Sequence, residues 1–252
     1  TKKLPSLEGL TWETLNDDIK RNIKRAKFAI NIILTENSIQ AQYELFQRLN
    51  TGGLHLEPQE IRNCLIIMLD EPFYEKLNKL KEYGNFKNSL KLQEVKLDIE
   101  FHMELILRYF ISKHDNIEFK KYKLSSTLLS EFIDDETIKL IEDPTFDLEK
   151  ETKIFKRTFD FLYQSMGEDI FKKYNKNKKE FEGAFSLSSF EAITSGIAIN
   201  IAKYEKMPEK KFKDLIIKMH SDAEFIENSK RGIKALSRIK GMLDFSKKYF
   251  KI

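Results

Sequence analysis

At 252 residues, with 33% charged and 41% hydrophobic side chains and a formal net charge of +4, the chain is long enough for one large domain or two small ones. Nine glycines and five prolines are too few for a β-sandwich, which needs turn residues about every 8–12 positions. A single cysteine, Cys64, excludes a disulfide framework and a cysteine-rich zinc site; no apolar run approaches the roughly 18 residues of a membrane span, and a reducing cytoplasm is the expected home.

Residues 1–10 read as an irregular lead-in. From Trp12 to Ala26, Leu15, Ile19 and Ile23 recur every fourth position with Lys20, Arg21, Lys24 and Arg25 facing elsewhere, which predicts an amphipathic helix. Phe28 to Leu34 is rich in β-branched residues and predicts the one regular strand. Asn37 or Ser38 then caps a helix carrying Tyr43, Phe46 and Leu49, and Asn50-Thr51-Gly52-Gly53 stops it with residues that tolerate positive φ. Leu54 and Leu56 anchor the loop. Glu57 sits at the cap position of the next helix, Pro58 at its first turn, and Ile61, Leu65 and Met68 on its buried face.

Glu71-Pro72 opens a further helix to about Tyr83, closed by Gly84-Asn85. Glu94 to Ser112 reads as one helix, apolar nearly all round in its second half, and belongs at the centre of the bundle. Short helices are predicted over Ser125–Phe132 and Asp134–Glu142, a break at Asp143-Pro144, and a long amphipathic helix over Leu148–Met166. Lys172 to Lys179 is a lysine-rich surface segment. Ser188 and Glu191 form an S-x-x-E capping box ahead of Ile193, Ile197 and Ile201. Met207-Pro208 precedes a helix over Glu209–His220, and a last helix from about Lys230 to Phe245 buries Leu236, Ile239 and Leu243. The expected fold is mainly α: an irregular multi-helix bundle with at most one or two short strands near residues 28–34. It forms a single helical domain, with residues 1–93 as an interface part and 94–252 as the bundle.

Four groups of residues could carry chemistry. Asn50, Gly52 and Gly53 could present one amide and backbone N–H groups to a phosphate at a helix N-terminus; a left-handed cap between two helices demands the same residues. Glu104 and Arg108, four apart on the most apolar helix, suit a buried ion pair, or Arg108 could reach a phosphate or acidic group at a domain junction. Arg108 and His114 also have the Arg-x5-His spacing that resembles the HEPN ribonuclease motif, although Tyr109 and Phe110 follow where a polar residue is usual. Arg231, Lys234 and Arg238 share one face of the last helix, opposite its apolar stripe, as a solvated face or a DNA-backbone contact. Glu60 and Arg62 are lesser candidates at the Asn50 loop, of which Glu60 suits an interaction with its own helix N-terminus. His55, His102 and His220 lack partners at metal-ligand spacing, so no metal site is expected.

Three stretches, FQRLNTGGLHLEPQEIRNCLI (46–66), HMELILRYF (102–110) and GAFSLSSFEAI (183–193), together resemble the landmarks of the GmrSD-type, ParB-like family of bacterial restriction and anti-phage proteins, in the same order. The first is similar to that family's FxRxNxGGxxLxxxEIRNA signature. The Asp-Gly-Gln-Gln-Arg motif of the ParB-like domain and a His-Asn-His nuclease domain do not occur in this sequence. The resemblance implies the helical half of a longer, cytoplasmic protein that uses a nucleotide, with magnesium, to control DNA recognition or cleavage. This half would serve as scaffold and domain interface and contribute to a nucleotide or DNA site. Asn50, Gly52, Gly53 and Arg108 then belong to the nucleotide site or the interface, and Arg231, Lys234 and Arg238 to a DNA contact. The chain itself would hold no catalytic residue and no cofactor. Its expected partners are the ParB-like domain or a partner subunit, and DNA, with no membrane. The alternatives are a non-catalytic protein-interaction module and a HEPN-like ribonuclease.

Overall fold

The structure is a computed structural model that describes residues 5–27, 30, 39–49, 56–114 and 116–251. Asn50, Gly52 and Gly53 lie outside the described residues, as does the expected strand except for Ile30, which is in no strand and is 80% exposed. The chain divides into two compact units, residues 1–42 and 43–252.

In the first unit a 3-10 turn (Pro5–Leu7) is followed by α1 (Asp17–Arg25). The helix starts later than its periodicity suggests because Thr11 to Thr14 close a turn of their own. Thr11 N–H donates to Thr14 Oγ1 at 2.8 Å, and its hydroxyl donates to Glu13 at 2.7 Å. Asn16 then caps the helix, accepting from Ile19 N–H at 2.8 Å. No residue of α1 is buried. Trp12 is 44% exposed, with the Lys24 ammonium 5.7 Å from its ring centroid.

The boundary falls within α2 (Ile39–Leu49). In the second unit, α3 (Pro58–Leu69) begins as expected, with Pro58 in its first turn and Glu60 accepting from Glu57 N–H at 2.7 Å. Asp70 caps α4 (Glu71–Lys81) through Phe73 N–H at 2.9 Å. Gly84-Asn85 does not close this stretch but opens α5 (Gly84–Leu90), because Asn85 Nδ2 donates to Asp160 at 2.6 Å and pins the new first turn. The single helix expected over 94–112 is two, α6 (Glu94–Asp98) and α7 (Phe101–His114). Glu100 between them is left-handed (φ 55), its carboxylate held by Lys81 at 3.0 Å.

The two short helices expected over 125–142 are one, α8 (Leu129–Glu142). It starts late because Thr127 Oγ1 accepts from Lys123 N–H at 3.1 Å and ties 123–127 into a turn. It does not break at Asp134, whose carboxylate is engaged elsewhere instead of capping. α9 spans Leu148–Met166 as predicted, capped by Asp147 and ended by Gly167 at φ 58.

The lysine-rich segment after it is a hairpin, β1 (Lys173–Asn175) antiparallel to β2 (Glu180–Glu182) with Tyr174 opposite Phe181. Among the described residues of this mainly α chain the strands are these two; the stretch near 28–34 lies outside those residues except for Ile30. Asn175 Oδ1 accepts from the N–H of Asn177 (2.9 Å) and Lys178 (3.2 Å), and Lys179 takes φ 56, which together turn the chain.

α10 (Leu187–Ile199), α11 (Ile201–Tyr204), α12 (Glu209–Met219), α13 (Ala223–Asn228) and α14 (Ala235–Tyr249) complete the unit. Ser186, not Ser188, caps α10, accepting from Ser189 N–H at 3.3 Å. From Ser189 to Ala198 every residue of α10 is buried, packed among α7, α9 and α14. Two of its hydroxyls are satisfied locally, Thr194 donating to Phe190 C=O at 2.7 Å and Ser195 to Glu191 C=O at 2.6 Å, whereas Ser189 Oγ has no hydrogen-bond partner among the described residues. Gly196 lets Phe250 lie against the helix. An aromatic cluster joins α5, α7 and α9, with ring centroids of Phe155 and Phe159 at 4.5 Å, Phe86 and Phe159 at 4.9 Å, and Tyr109 and Phe155 at 4.9 Å. Residues on both sides of position 93 share this core.

Candidate functional site

The apolar face of α7 carries one guanidinium inward. Arg108 is 5% exposed; its Nε and Nη2 donate to Glu104 Oε1, one turn earlier, at 2.9 and 2.6 Å. Its Nη1 donates across to Glu191 Oε1 on α10 at 2.7 Å. Arg238 on α14 completes the group, donating from Nε to Glu191 Oε2 at 3.0 Å. Two acids and two arginines thus form a neutral network among three helices, and such a network tolerates burial because each charge has partners. The void beside it, lined by Ser112, Phe132 and Ile239 among others, is about 10 Å³, too small for any ligand.

A second buried cation sits on α3. Arg62 is fully buried and donates from Nε to Asp134 Oδ1 at 2.6 Å, with further bonds to Gln59 and to Ser130 C=O. Tyr43 OH donates to the other Asp134 oxygen at 2.8 Å. Burial raises the Asp134 carboxyl above its ordinary value, against the opposing pull of Arg62 and Tyr43. Neither network offers an unengaged base or nucleophile.

The chain matches no family model, no curated protein and no solved structure.

The Glu104–Arg108 pair expected from their spacing is present, and Glu60 does serve its own helix N-terminus. Glu191 is not a capping residue; it is 4% exposed and binds two arginines. Arg231 and Lys234 precede α14 and are exposed, whereas Arg238 points to Glu191 and is 18% exposed, so the three do not share one outward face. Arg108 and His114 are not brought to one cleft. His114 Nε2 lies 2.8 Å from Asp143 Oδ2, beside a cavity of about 30 Å³ lined by Asn116, Glu136 and Lys139. Hydrogen bonds from Thr145 and His114 hold the Asp143 carboxyl down at about 2. Among the described residues no three His, Cys, Asp or Glu side chains stand together as a metal site, and no helix is long and apolar enough to cross a membrane.

Arg62, a lesser candidate from the sequence, is turned inward with Leu65 and Ile66, three and four positions on along the same helix face. Its partner Asp134, 72 residues away, had no signal of its own.

Proposed function

We propose that this chain is the helical half of a GmrSD-type, ParB-like restriction or anti-phage protein and acts there as a non-catalytic scaffold for a separate nucleotide-handling domain. The supporting observation is how the charged residues of the three resembling stretches are used. Arg62 of the first is buried against Asp134, while Arg108 of the second and Glu191 of the third, 83 residues apart, meet in one buried ion pair. Groups committed in this way define which helices pack together, and they are unavailable to a substrate. The resemblance is thus one of framework residues, which suits a part whose task is to hold another domain and to leave the chemistry to it.

The test is reconstitution. Purified alone, the chain is expected to turn over neither ATP nor GTP above a blank and to leave DNA uncut; mixed with a domain bearing the Asp-Gly-Gln-Gln-Arg motif, it should co-elute with that domain and raise its nucleotide turnover. Hydrolysis by the chain alone that scales with its concentration would overturn the scaffold reading. Failure to associate with the domain would remove the family assignment.

A further inference from the structure

The loop between α11 and α12 and the end of α14 enclose an open groove of about 270 Å³. Its apolar surface comes from Tyr204, Met207, Leu215 and Tyr249. Both hydroxyls are spent on the backbone: Tyr249 donates to Leu215 C=O at 2.8 Å and Tyr204 to Phe250 C=O at 2.9 Å. The floor therefore offers no polar group to a ligand. The volume falls below the roughly 300–1,000 Å³ of small-molecule pockets and suits a single large side chain.

The rim is different. Lys211 and Lys218 stand on one face of α12, seven residues and so about 10 Å apart along the axis, with Asp214 between them. Both lysines are exposed, and neither has a carboxylate partner among the described residues; the same holds for Lys206, Lys210 and Lys213 in this stretch. Other lysines of this unit, Lys172, Lys178, Lys230, Lys240 and Lys248 among them, do hold an acid. Of the nearby acids, Glu205 is taken by Arg157. Five ammonium groups against Asp214 and Glu209, the two acids of the stretch that hold no ion pair among the described residues, leave an electropositive collar, and Lys211 and Lys218 bring it to the rim of the slot.

We propose that this groove docks an acidic peptide segment of a partner protein, which inserts one apolar side chain between Met207, Leu215 and Tyr249 while its carboxylates meet Lys211 and Lys218. Nucleic acid fits the collar but not the slot: a base entering it would bury edge donors and acceptors against a surface whose hydroxyls are already engaged. A leucine, isoleucine or phenylalanine has no such groups to satisfy. The inference stands independently of the scaffold reading, because none of these residues belongs to the stretches that carry the resemblance.

The test is selection of a random twelve-residue peptide library on the full chain, with the Lys211→Glu/Lys218→Glu variant as counter-target, followed by anisotropy titration of the enriched peptides. Enriched peptides are expected to place Asp or Glu on both sides of an aliphatic or aromatic residue. Their affinity should fall about tenfold or more in the charge-reversed variant and in Met207→Ser, at unchanged circular dichroism and melting temperature. The double variant changes only exposed side chains and keeps the fold. No enrichment over the counter-target, or enriched peptides without acids, would overturn the proposal. So would a labelled single-stranded oligonucleotide that binds more tightly than any peptide and loses affinity in the same variant.

Discussion

Arg108 and Glu191 meet at 2.7 Å with 5% and 4% of their side chains exposed, and the same carboxylate also receives Arg238. Removing Glu191 strips Arg238 of its acid and leaves Arg108 with Glu104 alone. Glu191→Ala is therefore expected to cost about 3–5 kcal/mol, and Glu191→Gln less, since the amide oxygen still accepts one hydrogen bond. Urea unfolding followed by far-ultraviolet circular dichroism measures both. A loss below about 1 kcal/mol for Glu191→Ala would mean that apolar packing alone orders these three helices.

Gly196 is required by what lies opposite it. A Cβ built there would stand 2.6 Å from Cγ and 2.7 Å from Cβ of Phe250. Gly196→Ala should destabilise by about 1–3 kcal/mol through overpacking, and Phe250→Ala, which removes Cγ and the ring, should cost less in the Gly196→Ala background than in the parent. Additive single and double effects in the cycle would disprove the contact.

Acid should loosen the region around His220. Its ring lies edge-on to Phe225 (5.2 Å) and Phe181 (5.9 Å), and its buried Nε2 has no hydrogen-bond partner among the described residues. Burial, aided by the charge of Lys173, pulls its pKa from an ordinary 6.5 down to about 4. Between these values the unfolded chain takes up a proton that the folded chain refuses. Stability is thus full above about pH 6.5 and lost as the pH falls towards 4, by at most about 1.4 kcal/mol per pH unit. Burial shifts His102 in the same direction. Urea midpoints at pH 7, 6 and 5 should fall less steeply in His220→Phe than in the parent; parallel slopes would clear His220.

Asn50 separates a structural loop from a functional one. Glycine accepts left-handed geometry at least as well as asparagine, so Asn50→Gly should change the melting temperature little under either reading. With the nucleotide-handling domain present, contact of the amide with nucleotide or domain predicts a roughly tenfold loss of turnover, about 1.4 kcal/mol. Full turnover at unchanged stability would reduce the loop to a helix cap.

Long periodic segments were legible from the sequence: α9 has the predicted bounds, and α3 starts at Pro58 as its proline and glutamates indicate. What escaped was decided by contacts between distant residues. Lys81 holds Glu100 in the left-handed region and splits one apparent helix, and Asp160 turns Gly84-Asn85 from a stop into a start. The hairpin at 173–182 has three-residue strands, too short for alternation to show, and its turn lies among lysines that read as solvated surface. At the site, the i,i+4 spacing gave Glu104 with Arg108, but Glu191 and Arg238 joined them only through the packing of α10 and α14 on α7.

Trp12 is the only tryptophan in the chain, and it lies in the unit of residues 1–42 with 44% of its surface exposed. Its emission therefore reports on the chain around α1, while the phenylalanine-rich interior of residues 43–252 has no indole of its own. A melt excited at the indole band follows the surroundings of this one ring. Trp12 is also a built-in optical probe: a blue shift and a gain in intensity on adding a partner would register the covering of this one ring, with no label introduced.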